Sequence, residues 1–202
     1  MTVTPTPVDF WFDPACPWAW LTSRWIVNTE QVRPIRTTFR VMSLAVLNEE
    51  KITSDETRLR LLGPVRVLTS AAEEHGVEVL RDLYTQIGRR IHQGRQQASP
   101  ALVGEALAAS GLPDRHLVAW ESDALDAQVR ASHQAAIDLA GYDVGTPIIR
   151  VGGDTFFGPV VTPAPEGEAA GRLWDGFRLV GSTPGFFEIK RSRDVQPDLA
   201  GP

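Results

Sequence analysis

Apolar and polar positions along the chain change their period twice, and each period predicts a different kind of element. Residues 8–12 (VDFWF) form a short aromatic and β-branched run that is typical of a strand. A break follows at DPA, and then Trp18, Leu21 and Trp25 recur at the i, i+3, i+7 spacing of a helix. Residues 37–44 (TTFRVMSL) alternate and predict a second strand. The chain therefore begins with a βαβ unit, which forms a parallel strand pair.

Residues 53–140 have helical periodicity and few strand signals. Gly76, Gly111 and Gly141 stand where helix C-caps belong, because glycine adopts the left-handed conformation at little cost. The spacing predicts four or five helices in this segment.

Strand character returns after residue 141. Residues 148–151 and 155–157 are short apolar runs on either side of GGD, which predicts a hairpin. Residues 165–180 predict a last amphipathic helix. The pattern therefore predicts an α/β fold in which an all-helical insertion interrupts a sheet. The predicted bounds are 1–52 and 141–190 for the sheet domain, 53–140 for the helical insertion and 191–202 for a loose C-terminal tail.

Composition and charge narrow the classes of function. Apolar residues make up 43% and charged residues 22% of the 202 residues, as in folded globular proteins. A net charge of −5 argues against binding to nucleic acid or to an anionic membrane, since both favour a basic surface. The chain has no apolar run near the roughly 20 residues that span a bilayer, and it begins without the features of a secretory signal. We therefore expect a cytoplasmic protein with no nucleic-acid and no membrane partner.

The candidate chemistry lies in FDPACPWAW, residues 12–20, which holds the one cysteine of the chain, Cys16. A lone cysteine excludes an intrachain disulfide. Cys16 stands at the predicted strand-to-helix junction, and Pro17 suits the first position of the helix. Unpaired backbone N–H groups and the helix dipole favour an anion there, so we expect a thiol with a lowered pKa that acts as a nucleophile. The alternative is a small buried hydrophobic residue.

These motifs resemble a known family. FWFDPACPWAW after a strand and VGTPII before the third strand are similar to the thioredoxin superfamily, in the branch with a helical insertion that includes the DsbA-like oxidoreductases. Stretches from Asp9 to Arg191, among them VMSLAVLNE, RIHQG, FFGPV and FFEIKR, resemble the actinobacterial mycothiol-dependent nitroreductases. The resemblance implies a thioredoxin-like, DsbA-like fold. It also implies no tightly bound cofactor, and mycothiol or another small thiol as co-substrate. The second substrate would be a disulfide or a small electrophile such as a nitroaromatic, and the protein a monomer or a homodimer.

The chain departs from the family motif at Ala19. The best-described members have Cys-Pro-Trp-Cys, whose second cysteine resolves a mixed disulfide within the protein. Cys16, Pro17, Trp18 and Ala19 therefore form a catalytic motif that implies a monothiol cycle, in which a second small thiol releases the first. A natural monothiol enzyme and an engineered trapping substitution both fit Ala19.

Several residues are candidates for substrate binding. The resemblance implies a cis bond between Thr146 and Pro147, with backbone groups of Thr146 offered to a bound thiol. Trp18 is expected at the rim, where it can stack on an aromatic substrate, and Trp20 is undecided. Asn48 either binds a polar ligand or caps a turn.

The histidines give weaker signals. Because they lack metal spacing such as H-x-x-x-H and the chain has no second cysteine, we expect no metal site, and we place His75 and His116 at the surface. His92, near several arginines, either binds an acidic ligand group or lies at a solvated helix end. His133 either reaches towards Cys16 or lies in the core or at the surface.

Three functions remain open on the sequence. The first is the monothiol oxidoreductase. The second is a thiol-dependent transferase or isomerase, as in the kappa-class glutathione transferases and hydroxychromene carboxylate isomerases, which hold a thiol without a covalent bond. The third is a thioredoxin-like binding protein without catalysis.

Overall fold

The computed structural model describes residues 4–200, which form a mixed four-stranded sheet covered on both faces by helices. β1 and β2 pair in parallel, and the β1–β3 and β3–β4 pairs are antiparallel, giving the order β2-β1-β3-β4. The parallel pair and the hairpin that the pattern predicts are thus confirmed. The strands are β1 (Thr6–Phe12), β2 (Ile35–Val41), β3 (Ile148–Val151) and β4 (Asp154–Phe157).

The helices from α3 to α6 lie between β2 and β3, where helical periodicity predicts them. The helices are α1 (Pro17–Glu30), α2 (Leu44–Leu47), α3 (Asp55–His75), α4 (Val79–Gly88), α5 (Pro100–Ala109), α6 (Asp126–Ala140) and α7 (Gly167–Gly181). Short 3₁₀ turns span Glu49–Lys51 and Asp114–Trp120, and a π-helical turn spans Arg89–Gln93. None of the helices within residues 4–200 is long and apolar enough to cross a membrane.

Alternate residues of β1 face opposite sides of the sheet, as the two-residue period of a strand requires. Phe10 and Phe12 belong to the main core, where the Phe12 ring stacks on Tyr84 of α4 at a centroid distance of 3.9 Å. Trp11 faces the other side and packs with Ile137 of α6. The main core joins residues of the sheet to residues of α3, α4 and α5, so it is continuous with the helical insertion. The division into domains by residue number stays a prediction, and its limits at residues 1 and 202 lie outside the described residues.

One local prediction differs from the structure. The second strand ends at Val41, and the strand predicted through Leu44 gives way to α2, because the Ser43 hydroxyl accepts a hydrogen bond from the Val46 N–H at 3.2 Å and caps that helix. The segment after α7 has no helix or strand up to residue 200, and the loose tail from residue 191 stays a prediction. The Asp198 N–H donates to Thr162 Oγ1 at 2.7 Å, and Leu199 packs against the main core.

Helix α4 approaches α1 so closely that Gly88 has no room for a side chain. A Cβ built on Gly88 lies 2.2 Å from Cε3 of Trp20, whose side chain is only 1% exposed. We expect Gly88→Ala to lower the free energy of unfolding by about 1–3 kcal/mol, because the rigid indole and its neighbours must shift. Urea denaturation of the variant and the wild type measures the difference.

The matched control is Gly176→Ala in α7, where a Cβ meets no atom within 4 Å. Alanine has the higher helix propensity, so this variant is expected to gain about 0.5–1 kcal/mol. A Gly88→Ala protein as stable as the wild type would contradict the close packing of Trp20 on α4.

Candidate active site

Cys16 occupies the turn between the end of β1 and the start of α1. The Cys16 N–H donates to the Asp13 carbonyl at 3.0 Å, and Cys16 is the N-cap of α1 with Pro17 at the first helical position. The Ala19 N–H donates to Cys16 Sγ at 3.4 Å, so the sulfur takes the place of a capping oxygen. The junction predicted from the sequence is confirmed, and Ala19 contributes its backbone to the sulfur.

The loop before β3 lies against the same sulfur. The Cys16 thiol donates to the Thr146 carbonyl at 3.4 Å, and the Thr146–Pro147 peptide bond is cis. The Pro147 carbonyl in turn accepts the Gly158 N–H at 2.8 Å, which links the loop to the end of β4. The sequence separates Cys16 from Thr146 by 130 positions, and the fold brings them into one site.

Burial controls the charge of the thiol. Cys16 is only 6% exposed, and loss of solvent raises the pKa of its thiol to about 11. The Ala19 N–H acts in the opposite direction and lowers this pKa, while the negative charge of Asp13 raises it further. The expectation of a lowered pKa is wrong for this state of the protein, because desolvation outweighs the N-terminal hydrogen bond. At neutral pH Cys16 is a protonated thiol that donates to Thr146.

Asp13 is a site residue that the sequence reasoning missed. Its side chain is fully buried, with Oδ1 accepting the Ala15 N–H at 2.7 Å and Oδ2 accepting the Leu44 N–H at 2.6 Å. Burial raises the pKa of Asp13 to about 6, against the lowering effect of these two hydrogen bonds. The carboxyl group therefore fixes the cysteine turn to α2. An aspartate followed by proline directly after a buried strand is a turn signal that can be read from the sequence.

Trp18 and Arg193 form the outer side of the site. Trp18 is half-buried, and the Arg193 guanidinium carbon lies 5.5 Å from the centroid of its ring. The positive charge of Arg193 slightly lowers the pKa of Cys16, although less than burial raises it. Trp18 thus occupies the kind of half-exposed position expected of it, whereas no sequence signal placed Arg193 near the thiol.

Trp20 and His92 lie beneath the site, in the core. The Trp20 ring stacks on the His92 imidazole at 5.7 Å, and His92 Nε2 lies 3.0 Å from the Pro14 carbonyl oxygen as a hydrogen-bond donor. His92 is 5% exposed, and burial lowers its pKa to about 4, so it stays neutral at physiological pH. The solvated helix end is therefore wrong for His92, while the assignment of both residues to substrate binding stays a prediction. Their packing supports the loop that carries Cys16.

Asn48 is engaged within α2, and His133 is buried on α6. Asn48 ends α2, and its Nδ2 donates to the Leu44 carbonyl at 2.9 Å, which is the capping alternative. His133 is buried on α6, where desolvation and Arg130 lower its pKa and Glu49 raises it. Within residues 4–200 no described interaction joins His133 to Cys16.

His75 and His116 come together in the insertion, although the sequence predicts both at the surface. His116 is only 2% exposed, so this prediction is wrong for His116, and its Nε2 lies 3.0 Å from Nε2 of His75. The two residues lie on α3 and on the Asp114–Trp120 turn, which carry none of the residues around Cys16.

The raised pKa of Cys16 predicts slow alkylation of the folded protein. At pH 8 we expect iodoacetamide to react at least about 100-fold more slowly with the native chain than with the urea-unfolded chain, since two pKa units reduce the thiolate fraction about 100-fold. The native rate should keep rising through pH 9. Mass spectrometry of quenched samples measures both rates, and a native rate that levels off near pH 7 would contradict a protonated resting thiol.

Comparison with known proteins places this geometry in a family. The family model described as mycothiol-dependent nitroreductase Rv2466c matches residues 15–191. A curated protein described as "Uncharacterized protein Rv2286c", from Mycobacterium tuberculosis (strain ATCC 25618 / H37Rv), is 30% identical over 198 residues, covering 93% of this chain and 83% of that protein.

Solved structures support the fold. SCO1869 from Streptomyces coelicolor, described as a probable DsbA oxidoreductase, is similar with a TM-score of 0.61 at 16% identity, covering 94% of each chain. The cytosolic disulfide reductase DsbM from Pseudomonas aeruginosa is similar with a TM-score of 0.55 at 15% identity, covering 86% of this chain and 99% of that one. The fold is therefore the DsbA-like thioredoxin fold with a helical insertion, and the chain belongs to the Rv2466c-like family of mycothiol-dependent nitroreductases.

Proposed function

We propose that this protein is a thiol-dependent oxidoreductase in which Cys16 is the single reacting residue and mycothiol is the co-substrate. The observation that carries the proposal is the position of Cys16 Sγ, between the Ala19 N–H and the carbonyl beside the Thr146–Pro147 cis bond. Membership of the family supports mycothiol as the thiol. Trp18 at the rim offers an aromatic face to a flat substrate.

The cycle with a disulfide substrate needs one protein thiol. The Cys16 thiolate attacks one sulfur of the disulfide, so a new S–S bond to Cys16 forms and the other half leaves as a thiolate. A mycothiol thiolate then attacks the sulfur of the bound half, forms a mixed disulfide with it and releases Cys16. Because the resolving thiol comes from solution, Ala19 is compatible with turnover.

A nitroaromatic acceptor requires two thiols for each two-electron step. Reduction of the nitro group to a nitroso group takes two electrons and two protons and releases water. Cys16 and one mycothiol supply the two electrons and the two protons as their thiols join in a mixed disulfide. A second mycothiol then attacks the mycothiol sulfur of this disulfide, releases Cys16 and leaves as mycothiol disulfide. Each turnover therefore consumes two mycothiols and regenerates the Cys16 thiol.

Binding must also activate the thiol, because the pKa of Cys16 is raised to about 11 mainly by burial. Movement of the segment that carries Arg193 and Leu199 would admit a small thiol and rehydrate the sulfur. Rehydration removes the desolvation that raises the pKa of Cys16 most, so the Ala19 N–H is left to favour the thiolate. The same movement would therefore admit the small thiol and make the Cys16 thiol more reactive.

A second function is favoured by the same raised pKa. A protonated Cys16 can donate its S–H to the thiolate of a bound mycothiol, as a serine hydroxyl would, and hold it for transfer to an electrophile. This is the non-covalent transferase or isomerase. Cys16→Ser separates the two, because a hydroxyl can replace the donor but cannot form a disulfide.

The deciding experiment exposes the reduced protein to oxidised mycothiol at neutral pH, with oxidised glutathione in parallel. Intact-protein mass spectrometry should find one adduct on Cys16, formed faster with mycothiol and reversed by the free thiol. Cys16→Ser should form no adduct and reduce substrate only at the uncatalysed rate. No adduct on the native protein, together with wild-type turnover by Cys16→Ser, would reject the covalent cycle in favour of the non-covalent function.

Ala19→Cys tests the geometry of the motif. The Ala19 N–H already contacts Cys16 Sγ, and the fold is DsbA-like, so oxidation should close a disulfide between positions 16 and 19. Mass spectrometry would detect the loss of two hydrogen atoms. The variant should cost about 1–3 kcal/mol in the reduced state, because Ala19 is fully buried.

The control is the double variant Cys16→Ser/Ala19→Cys, whose one thiol has no intramolecular partner. A single variant Ala19→Cys that folds but keeps two free thiols under oxidant would mean that the first turn of α1 does not have the geometry described.

A further inference from the structure

Three side chains in the helical insertion direct ligand atoms at one point. His75 Nε2 and His116 Nε2 are 3.0 Å apart, Glu74 Oε1 lies 3.7 Å from His75 Nε2, and Glu74 Oε2 lies 3.9 Å from His116 Nε2. One ligand atom from each residue lies within 4.8 Å of the others. Glu74 and His75 end α3, and His116 lies on the Asp114–Trp120 turn.

These distances are close to those within a metal coordination sphere. Metal–nitrogen bonds of about 2.05 Å place neighbouring ligand atoms about 3.3 Å apart at tetrahedral angles. The two nitrogens are slightly nearer than that and the carboxylate oxygens slightly farther away, so small side-chain rotations are sufficient. The facing imidazoles can share only one proton, as a single hydrogen bond, and a cation would use both nitrogen lone pairs.

The second nitrogen of His116 is held by a neighbour. His116 Nδ1 lies 2.9 Å from the Ser70 hydroxyl oxygen, one turn before Glu74 on α3. When His116 Nδ1–H donates to Ser70, Nε2 keeps its lone pair and points at His75. Metal-binding histidines are commonly oriented by such a hydrogen bond on the other ring nitrogen.

The two elements that carry the cluster pack against each other, and two of the three side chains of the cluster are exposed. A Cβ on Gly63 would lie 2.4 Å from the Trp120 ring, so α3 and the Asp114–Trp120 turn are in direct contact. His116 is almost fully buried, whereas 29% of the His75 side chain and 45% of the Glu74 side chain are exposed. An ion can therefore enter from solvent onto a largely preformed set of ligands.

Arg115 is the competing partner. Its guanidinium forms an ion pair with Glu74, which keeps the carboxylate ionised, and 59% of the Arg115 side chain is exposed. Because most of the Arg115 side chain is exposed, a cation that binds Glu74 more tightly can displace it into solvent.

We propose that Glu74, His75 and His116 bind a divalent transition-metal ion of the Zn²⁺ class. Two imidazoles and one carboxylate are a ligand set that Zn²⁺ accepts, with water in the fourth position. The ion would join the end of α3 to the turn that follows α5, and neither element carries a residue that contacts Cys16 in the described structure.

The test uses the tag-free, full-length, reduced protein after treatment with a chelator and removal of the chelator. Titration with Zn²⁺ against a chromophoric competitor should give one ion per chain. In ¹H–¹⁵N spectra of the histidine rings, Zn²⁺ should shift the nitrogens of His75 and His116 and leave those of His92 and His133 unchanged.

Variants separate this site from other zinc binding. His75→Ala and Glu74→Gln should each weaken the affinity at least about tenfold. Glu73→Gln removes an exposed carboxylate next to the cluster and should bind as the wild type does. Arg115→Ala should bind at least as tightly as the wild type, because it frees Glu74. Zn²⁺ should also raise the melting temperature of the wild type but not that of His75→Ala.

Three outcomes would overturn the proposal. The first is the absence of stoichiometric binding by the wild type. The second is wild-type affinity in both His75→Ala and Glu74→Gln. The third is binding that is lost on alkylation of Cys16, since the thiol would then be the ligand.

Discussion

The hydrogen bond from the Cys16 thiol to the Thr146 carbonyl depends on one feature of the sheet, the antiparallel pairing of β1 with β3. In that pairing Trp11, near the end of β1, lies opposite Ile148, at the start of β3. The turn that leaves β1 and the loop that enters β3 are therefore at the same edge. Asp13 and the N-terminus of α1 orient the sulfur between this turn and this loop. The helical insertion begins after β2 and ends before β3, so both of its ends must also lie at this edge of the sheet.

Burial of Cys16 keeps its thiol protonated and therefore weakly nucleophilic. An almost fully buried sulfur loses the water that would stabilise its anion, and the backbone N–H groups of Ala19 and Trp18 do not replace that water. The pKa of Cys16 is therefore raised to about 11, and the largest cause is the loss of solvent around the sulfur. Arg193 on the C-terminal segment brings positive charge to the Trp18 side of the site, where it lowers the pKa of Cys16, although less than burial raises it.

The helical insertion does more than cover the sheet, because it also positions two clusters of side chains. Its α4 and the π-helical turn place Trp20 against His92 under the cysteine loop, and Gly88 permits the close approach that this packing needs. At its other side, α3 and the Asp114–Trp120 turn bring Glu74, His75 and His116 together. Because the main core runs without interruption from the sheet into α3, α4 and α5, both clusters are fixed by the same hydrophobic packing.

The sequence by itself determined the order of elements, the hairpin and the position of Cys16 at a helix N-terminus, because strand period, helix period and capping residues act over a few neighbouring positions. It also determined that a disulfide cannot form within the chain. Only the tertiary structure decided that Trp20 and His92 are core residues, that the Cys16 thiol has a raised pKa, and that Arg193 and Asp13 act on it. The tertiary structure alone also decided that His75 pairs with His116, which lies 41 positions away in the sequence. Burial and long-range contact depend on which faces of distant elements meet, and a local pattern carries no information on that choice.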